Sequence, residues 1–144
     1  MITLREINPA NWHECINLSV TESQKKFVAS NVYSLAQAKV YPSYTPLAIY
    51  HDDEMVGFIL YGIDPDNNQM EISRLMVDQR YQGKGCGRAA MTQLLEIIRQ
   101  DASLSVVYIS FVPENKNAEA LYLSLGFEHT GEIKDGELVM KRML

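Results

Sequence analysis

A stretch of alternating glycines and basic side chains carries the most specific chemistry in this sequence. Its glycines are Gly83, Gly85 and Gly87, and its basic residues are Arg80, Lys84 and Arg88. Because glycine has no Cβ atom, the backbone there can approach a ligand closely, and a helix that begins among the glycines leaves its first N–H groups without acceptors. Such a helix end binds anions. The pattern therefore predicts a phosphate-binding loop rather than a tight strand-to-helix turn alone.

The spacing of these glycines distinguishes between the known kinds of phosphate loop. No Gly-x-x-x-x-Gly-Lys-Ser/Thr run of a nucleotide P-loop is present. Residues 85–90 fit the Gly-x-Gly-x-x-Ala pattern of dinucleotide-binding folds, but that pattern follows a strand almost at once. Here the polar residues 78–82 precede the first glycine, and the chain is too short for two mononucleotide-binding halves. A dinucleotide-binding domain is the least favoured reading.

Two blocks of sequence resemble one enzyme family. Arg80-x-x-Gly83-x-Gly85 resembles the coenzyme A pyrophosphate loop of the GNAT superfamily of N-acetyltransferases, and residues 115–127 resemble that family's Asn-x-x-Ala-x-x-x-Tyr-x-x-x-Gly-Phe block. The resemblance is good over residues 46–144 and loose over the first third. It implies one domain, residues 1–144, with an α/β (α+β) fold. The expected sheet is mixed and mostly antiparallel, with about six to seven strands, one central parallel pair and helices on both faces.

The same resemblance implies acetyl coenzyme A as the cofactor. In the family, backbone groups of a bulged strand contact the pantetheine and the acetyl carbonyl, N–H groups of the glycine loop bind the pyrophosphate, and an asparagine binds the pantetheine. The implied cofactor-binding residues are Leu75, Met76, Val77, Arg80, Gln82, Gly83, Lys84, Gly85, Cys86, Gly87, Arg88, Asn115, Asn117 and Tyr122.

Transfer of an acyl group from a thioester to an amine also needs a base and an acid. An alkylamine is mostly protonated at neutral pH, so a base must remove its proton, and the leaving thiolate needs a proton. Glu71 is the candidate base, acting directly or through water; alternatively, it pairs with Arg74 or a neighbouring strand. Tyr122 matches the tyrosine that protonates the thiolate in the family; alternatively, it is a core residue.

The first third of the chain carries the weakest patterns. Alternation at residues 2–5 predicts a strand. Pro9 suits the first turn of a following helix, whose stripe would place Trp12 and Cys15 in the core. The Gly- and Pro-free region Thr21–Ala38 predicts one or two helices, with Asn31 as a break. Residues 40–46 then predict a proline-punctuated loop with two tyrosines.

Clearer signals follow in the rest of the chain. A hairpin is predicted from the apolar runs at residues 47–50 and 56–61, and a turn is predicted at residues 64–68. Alternation slips between Met70 and Val77, which predicts a β-bulge. The sequence predicts an amphipathic helix from about residue 85 to 100 and then a β-branched strand at 106–112, which is expected to be covered on both faces. A strand, a crossover helix and a strand in this order form a parallel pair, and the ligand is expected at the carboxyl ends of that pair. Asn115 or Asn117 would cap the next helix, and Asp135-Gly136 predicts a type I′ hairpin.

Composition limits the partners. A net charge of −5 argues against nucleic acid and permits a cationic ligand. No apolar run is long enough to span a membrane and the N-terminus lacks a signal-peptide core, so we expect a cytoplasmic protein. Cys15 and Cys86 are expected to be reduced, and the scattered His and Cys predict no metal site. The sequence leaves the oligomeric state open and is compatible with a homodimer.

The first third resembles bacterial spermine/spermidine acetyltransferases of the same superfamily, through a Gln-x-x-Phe-Val-Ala-x-Asn-x-Tyr-Ser segment at residues 24–34. This implies a polyamine as the small-molecule amine substrate. Its ammonium groups would need carboxylates and aromatic faces. The candidates are Glu22, Glu71, Tyr33, Tyr41 and Tyr44. The alternatives are another small primary amine, a peptide N-terminus, or a catalytically silent acyl coenzyme A sensor.

Overall fold

A seven-stranded sheet organises the chain in the computed structural model, which describes residues 1–144. The strands are β1 (Ile2–Glu6), β2 (Tyr44–His51), β3 (Glu54–Ile63), β4 (Met70–Val77), β5 (Val106–Phe111), β6 (Glu128–Lys134) and β7 (Glu137–Met143). The helices are α1 (Trp12–Asn17), α2 (Asn31–Val40), α3 (Cys86–Arg99) and α4 (Lys116–Ser124), with short 3₁₀ turns at Glu22–Gln24 and Gln79–Tyr81. No helix is long and apolar enough to cross a membrane.

The sheet is mixed, as the sequence predicted. The strand order is β1-β2-β3-β4-β5-β7-β6. Strands β4 and β5, joined through helix α3, form the one parallel pair, and all other neighbours are antiparallel. A parallel pair requires a crossover connection, and the amphipathic α3 supplies it.

Helices cover both faces of the sheet, which confirms the predicted layering. On one face, α3 buries the predicted apolar stripe, and this core also includes Tyr122 of α4. The stripe consists of Met91, Leu94, Leu95 and Ile98. On the other face, Cys15 of α1 joins Phe58 of β3 in a second core. Burial of apolar area on both faces is the dominant stabilising term in a domain of this size.

The bulge predicted in β4 lies at Ser73. Leu60 of β3 pairs with Arg74 and Tyr61 pairs with Ile72, so Ser73 is the extra residue. The extra residue reverses the facing of the strand: Ile72 packs in the core under α3, whereas Met76 packs in the core under α1 and α2.

Several local predictions hold. Asn115 caps α4 by accepting a hydrogen bond from the Ala118 N–H at 3.3 Å, so Asn115 rather than Asn117 is the cap. Asp135 and Gly136 connect β6 to β7 with φ values of 51° and 80°, as a type I′ turn requires.

The expectation of one or two helices in Thr21–Ala38 is confirmed, because the region holds one α-helix, which begins at the expected break, Asn31, and a single 3₁₀ turn.

Two expectations are wrong. Trp12 is 47% exposed rather than in the core, although Cys15 is fully buried, because the six-residue α1 presents only a narrow face to the sheet. Strand β5 is not covered on both faces: Val107, Ile109 and Phe111 are buried while Ser110 is exposed.

Candidate active site

The site is a gap between the two parallel strands. Strand β4 pairs with β5 only at Glu71 with Tyr108 and at Ile72 with Ile109. Past the bulge, residues 74–77 keep β3 as a neighbour on one side and have no strand partner on the other. A cleft of about 670 Å³ opens there, lined by residues 71–77 of β4, 109–112 of β5 and its following loop, and 24–29 before α2. Unpaired backbone groups in such a cleft are available to a ligand.

The glycine loop, residues 80–88, adjoins this cleft, which its Gln82 side chain lines. Gly83 and Gly85 have φ values of 76° and 82°, a region that side chains disfavour, and a Cβ atom at either position would meet nothing within 4 Å. Gly85 is the N-cap of α3, and the Ala89 N–H is the first to bond back to it. The N–H groups of residues 86–88 therefore lack helical acceptors and form an anion-binding end.

The side chains of the glycine loop differ in whether they are bound to other residues, exposed or buried. Arg80 is held by Asp78, with Nε 2.8 Å from Oδ1, and Arg88 donates to the Ser124 Oγ at 2.6 Å. Lys84 is exposed, whereas Cys86 is 6% exposed and belongs to the core under α3. Cys86 can therefore offer a ligand only its backbone N–H.

Asp78 ties the glycine loop to the segment before α2. Its Oδ2 accepts the Ser19 N–H at 2.9 Å, and its Oδ1 accepts the N–H and the Nε of Arg80. Burial disfavours its ionisation, but these hydrogen bonds outweigh burial and lower the pKa of Asp78. A second contact is the hydrogen bond that the Gln82 Nε2 donates to the Gln24 Oε1 at 2.9 Å. The two walls of the cleft are thus connected beside the glycine loop.

Glu71 lies further along the cleft with one carboxylate oxygen held in place. Its Oε1 accepts hydrogen bonds from the Tyr44 hydroxyl at 2.8 Å and the Ser73 hydroxyl at 2.7 Å. Its Oε2 accepts none and is free to take a proton. Burial, and then the hydrogen bond to Glu71, raise the pKa of Tyr44 far above its ordinary range, so Tyr44 stays a donor. Glu71 does not pair with Arg74, although its bond to Tyr44 of β2 is a contact with another strand.

Tyr122 stands in the cleft wall on α4. It is 6% exposed and packs between Phe111 and Phe127, each 5.9 Å away between ring centroids. Burial, and then the negative charge of Glu137, raise the pKa of Tyr122 far above its ordinary range. The phenol therefore keeps its proton at neutral pH, as a general acid must.

Comparison with known proteins agrees with this geometry. The model of the acetyltransferase (GNAT) family matches residues 11–127. The chain belongs to this family. It is 29% identical over 150 residues to the spermine/spermidine N(1)-acetyltransferase of Bacillus subtilis (strain 168), covering 99% of both proteins.

Solved acetyltransferases share the fold. The spermidine N-acetyltransferase from Vibrio cholerae in complex with CoA and spermine superposes with a TM-score of 0.77 at 17% identity, covering 99% of this chain and 95% of that one. The PaiA N-acetyltransferase from Thermoplasma acidophilum in complex with coenzyme A gives 0.75 at 16% identity, covering 100% and 99%. The predicted GNAT fold is therefore confirmed.

The structure brings only part of the predicted site of this acetyltransferase into the cleft. The predicted residues that line it are Tyr44, Glu71, Leu75, Met76, Val77, Gln82, Asn115 and Tyr122. Seven predicted residues around the glycines do not line it: Arg80, Gly83, Lys84, Gly85, Cys86, Gly87 and Arg88. Four more lie outside it: Glu22 is bound to Lys25 at 2.6 Å and its side chain is 87% exposed, Asn117 is exposed, and Tyr33 and Tyr41 are more than two-fifths exposed.

The sequence did not point to several residues that do line the cleft. These are Gln24, Gln37, Asp64, Asp66, Arg74, Lys134, Asp135 and Glu137. Most come from turns far apart in the chain, so no local spacing connects them. Several of them lie in segments that the sequence did single out, such as Arg74 beside the bulge, Gln24 in residues 24–34 and Asp135 in the hairpin turn, but those patterns gave them no role in the site.

The hydrogen bonds of Asp78 lead to a prediction about stability. We expect Asp78→Asn to lower the free energy of unfolding by about 1–3 kcal/mol at pH 7, because the amide nitrogen of asparagine cannot accept one of the hydrogen bonds that Ser19 and Arg80 donate to the carboxylate. The native carboxyl has a lowered pKa, so its contribution is present above about pH 4 and is lost as the pH falls through that lowered value. Below about pH 4, wild-type stability should fall more steeply than that of the variant as the pH decreases.

Urea unfolding at several pH values tests this, with Asp101→Asn as the control. Asp101 also has a lowered pKa, but it is exposed and its hydrogen bonds come only from Ser103. Equal losses of stability in the two variants would show that the connection between the cleft walls contributes nothing.

Proposed function

We propose that this acetyltransferase moves an acetyl group from acetyl coenzyme A to a primary amine, and that its acceptor is a polyamine. The observation that carries the proposal is the cleft, whose lining includes Gln82 of the glycine loop, the tyrosine Tyr122 and the half-free carboxylate Glu71. Acyl transfer to an amine requires a base and an acid in one site.

The residues present fit the cofactor. The N–H groups of residues 86–88 would hold its pyrophosphate, and the unpaired backbone of residues 75–77 would hold the pantetheine as an added strand. Asn115 lines the same cleft as residues 75–77 and Tyr122. When bound, acetyl coenzyme A supplies the activated thioester.

Two side chains would transfer the protons of the reaction. Glu71 Oε2 would receive the proton of the acceptor's ammonium, directly or through water, while Tyr44 and Ser73 hold Oε1 in position. Tyr122 holds a proton at its hydroxyl, available to the leaving thiolate. Both groups act where charge develops, so they should affect turnover more than binding.

A polyamine acceptor is supported by charge and by similarity. Carboxylates line the end of the cleft beyond Glu71: Asp64, Asp66, Asp135 and Glu137. Such a surface attracts a chain with several ammonium groups. A Bacillus subtilis relative over the whole chain is named for spermine and spermidine, and the Vibrio cholerae structure with this fold contains spermine.

Arg74 favours a second candidate, an acceptor that carries a carboxylate beside its amine. Its guanidinium lines the cleft and bonds only to the Ser73 carbonyl at 3.0 Å and the Gln37 Oε1 at 3.2 Å. Its Nε is buried without a partner. Arginine binds carboxylates in a bidentate manner, so an amino acid or a peptide with a nearby carboxylate would satisfy it.

We expect Gly85→Val to weaken binding of coenzyme A by about 100-fold, which is about 2.7 kcal/mol, because the side chain enters the path of the pyrophosphate and strains the positive φ. Gly131→Val is the matched control: Gly131 has a φ of 83° and open space at its Cβ, but lies in β6. Calorimetry with both folded variants measures the difference. Equal affinities would remove the glycine loop from the proposal.

We expect Tyr122→Phe to lower kcat by about 100-fold with cofactor affinity little changed, because the hydroxyl acts only in the transition state. The control is Tyr50→Phe, which changes a buried tyrosine outside the cleft and should leave kcat unchanged. A change confined to KM in Tyr122→Phe would contradict the role of Tyr122 as the acid.

We expect Glu71→Gln to lower kcat as well, and its activity to recover at high pH, where the free amine dominates. A wild-type pH profile in this variant would contradict the role of Glu71 as the base.

The acceptor is tested with spermidine, a monoamine of similar length and a short peptide. We expect kcat/KM for spermidine to exceed that for the monoamine by about threefold to tenfold at low salt, and this preference to shrink at high salt as ions screen the carboxylates. A higher kcat/KM for the peptide would favour the second candidate instead. Equal values for spermidine and the monoamine at low salt would refute the polyamine acceptor.

A further inference from the structure

The acidic end of the cleft already holds an ammonium that belongs to the protein. Lys134, the last residue of β6, donates from Nζ to the Asp64 Oδ2 at 2.9 Å. Of the five carboxylates around this end, Asp64 is the one that pairs with a cation. The other four, Asp66, Glu71, Asp135 and Glu137, form no ion pair.

Lys134 is held firmly but remains within reach of solvent. The Asp64 side chain is 7% exposed and the Lys134 side chain 38%. The Asp64 Oδ1 accepts the Asp66 N–H at 2.8 Å, so Asp64 keeps a partner even when its other oxygen is released. The hydrogen bond that Lys134 donates to Asp64, and the charges of Asp64, Glu71 and Asp66, raise the pKa of Lys134, so it stays protonated throughout the neutral range.

The ammonium of Lys134 therefore experiences the negative charges of both the candidate base Glu71 and the buried Asp64. A linear polyamine that presents one amine to Glu71 would carry its next ammonium into this same acidic end. Two cations there would repel each other, and they would compete for the one buried carboxylate. A monoamine that reaches Glu71 has no second charge to place.

We propose that Lys134 occupies the position of the acceptor's second ammonium and thereby sets how strongly the site favours polycationic over monocationic amines. Lys134 is a specificity-determining residue in this proposal, not a catalytic one. The proposal rests on the amine acetyltransferase function given above. A purely structural role, in which Lys134 only ties the β6–β7 turn to the β3–β4 turn, would affect all acceptors alike.

Lys134→Gln tests the proposal because it removes the charge and keeps a donor for Asp64. We expect the KM for spermidine to fall by about threefold to tenfold and the KM for butylamine to stay within about twofold. We expect kcat not to rise. Lys134→Arg keeps the charge and should resemble the wild type. Lys39→Met, an exposed lysine outside the cleft, makes the same change in net charge and should leave the ratio of the two KM values unchanged.

Calorimetry of spermidine binding to each variant, with coenzyme A present, gives a second readout that needs no turnover. If the wild type acetylates neither amine, the proposed function fails, while the affinity of Lys134→Gln relative to the wild type still decides the role of Lys134. Equal changes for spermidine and butylamine would overturn the proposal, as would weaker spermidine binding in Lys134→Gln or a wild-type ratio in that variant.

Discussion

The loss of pairing between β4 and β5 after Ile72 is the constraint on which the rest of the site depends. Buried backbone N–H and C=O groups are costly without partners, so a strand that parts from its neighbour must have water or a ligand beside it. The parting follows directly on the bulge at Ser73. Leu75 to Val77 stay anchored to β3 on their other side, so the gap has one rigid wall.

The same bulge determines which side chains meet in the cleft. Residues three apart on a regular strand point to opposite faces, so Glu71 and Arg74 would be separated by the sheet. With Ser73 inserted, Glu71 reaches Tyr44 of β2 and Arg74 reaches Gln37 of α2, both on the face that α1 and α2 cover. One inserted residue therefore places a carboxylate and a guanidinium in the same cleft.

Local features of the site could be predicted from the sequence, whereas its long-range pairs could not. The slipped alternation indicates the bulge, the glycines indicate the loop, and the cap of α4 is narrowed to Asn115 or Asn117, because each of these features depends on neighbours along the chain. The Lys134–Asp64 pair joins residues 70 positions apart, and Asp78 bonds Ser19 across 59. No spacing rule connects such residues. Trp12 was misplaced because apolar periodicity over six residues does not fix how much of a helix the sheet covers.

The electrostatics of the cleft place two opposing demands on an amine acceptor. Carboxylates attract the protonated amine, yet they also stabilise its charge and so oppose the deprotonation that acyl transfer needs. Glu71 has no ion-pair partner, and an ammonium beside it experiences the nearby carboxylates as well. Lys134 neutralises the buried Asp64, which weakens the field that holds the acceptor's proton. In the proposed function, this pairing would weaken the attraction for a polycation and ease release of the acceptor's proton to Glu71.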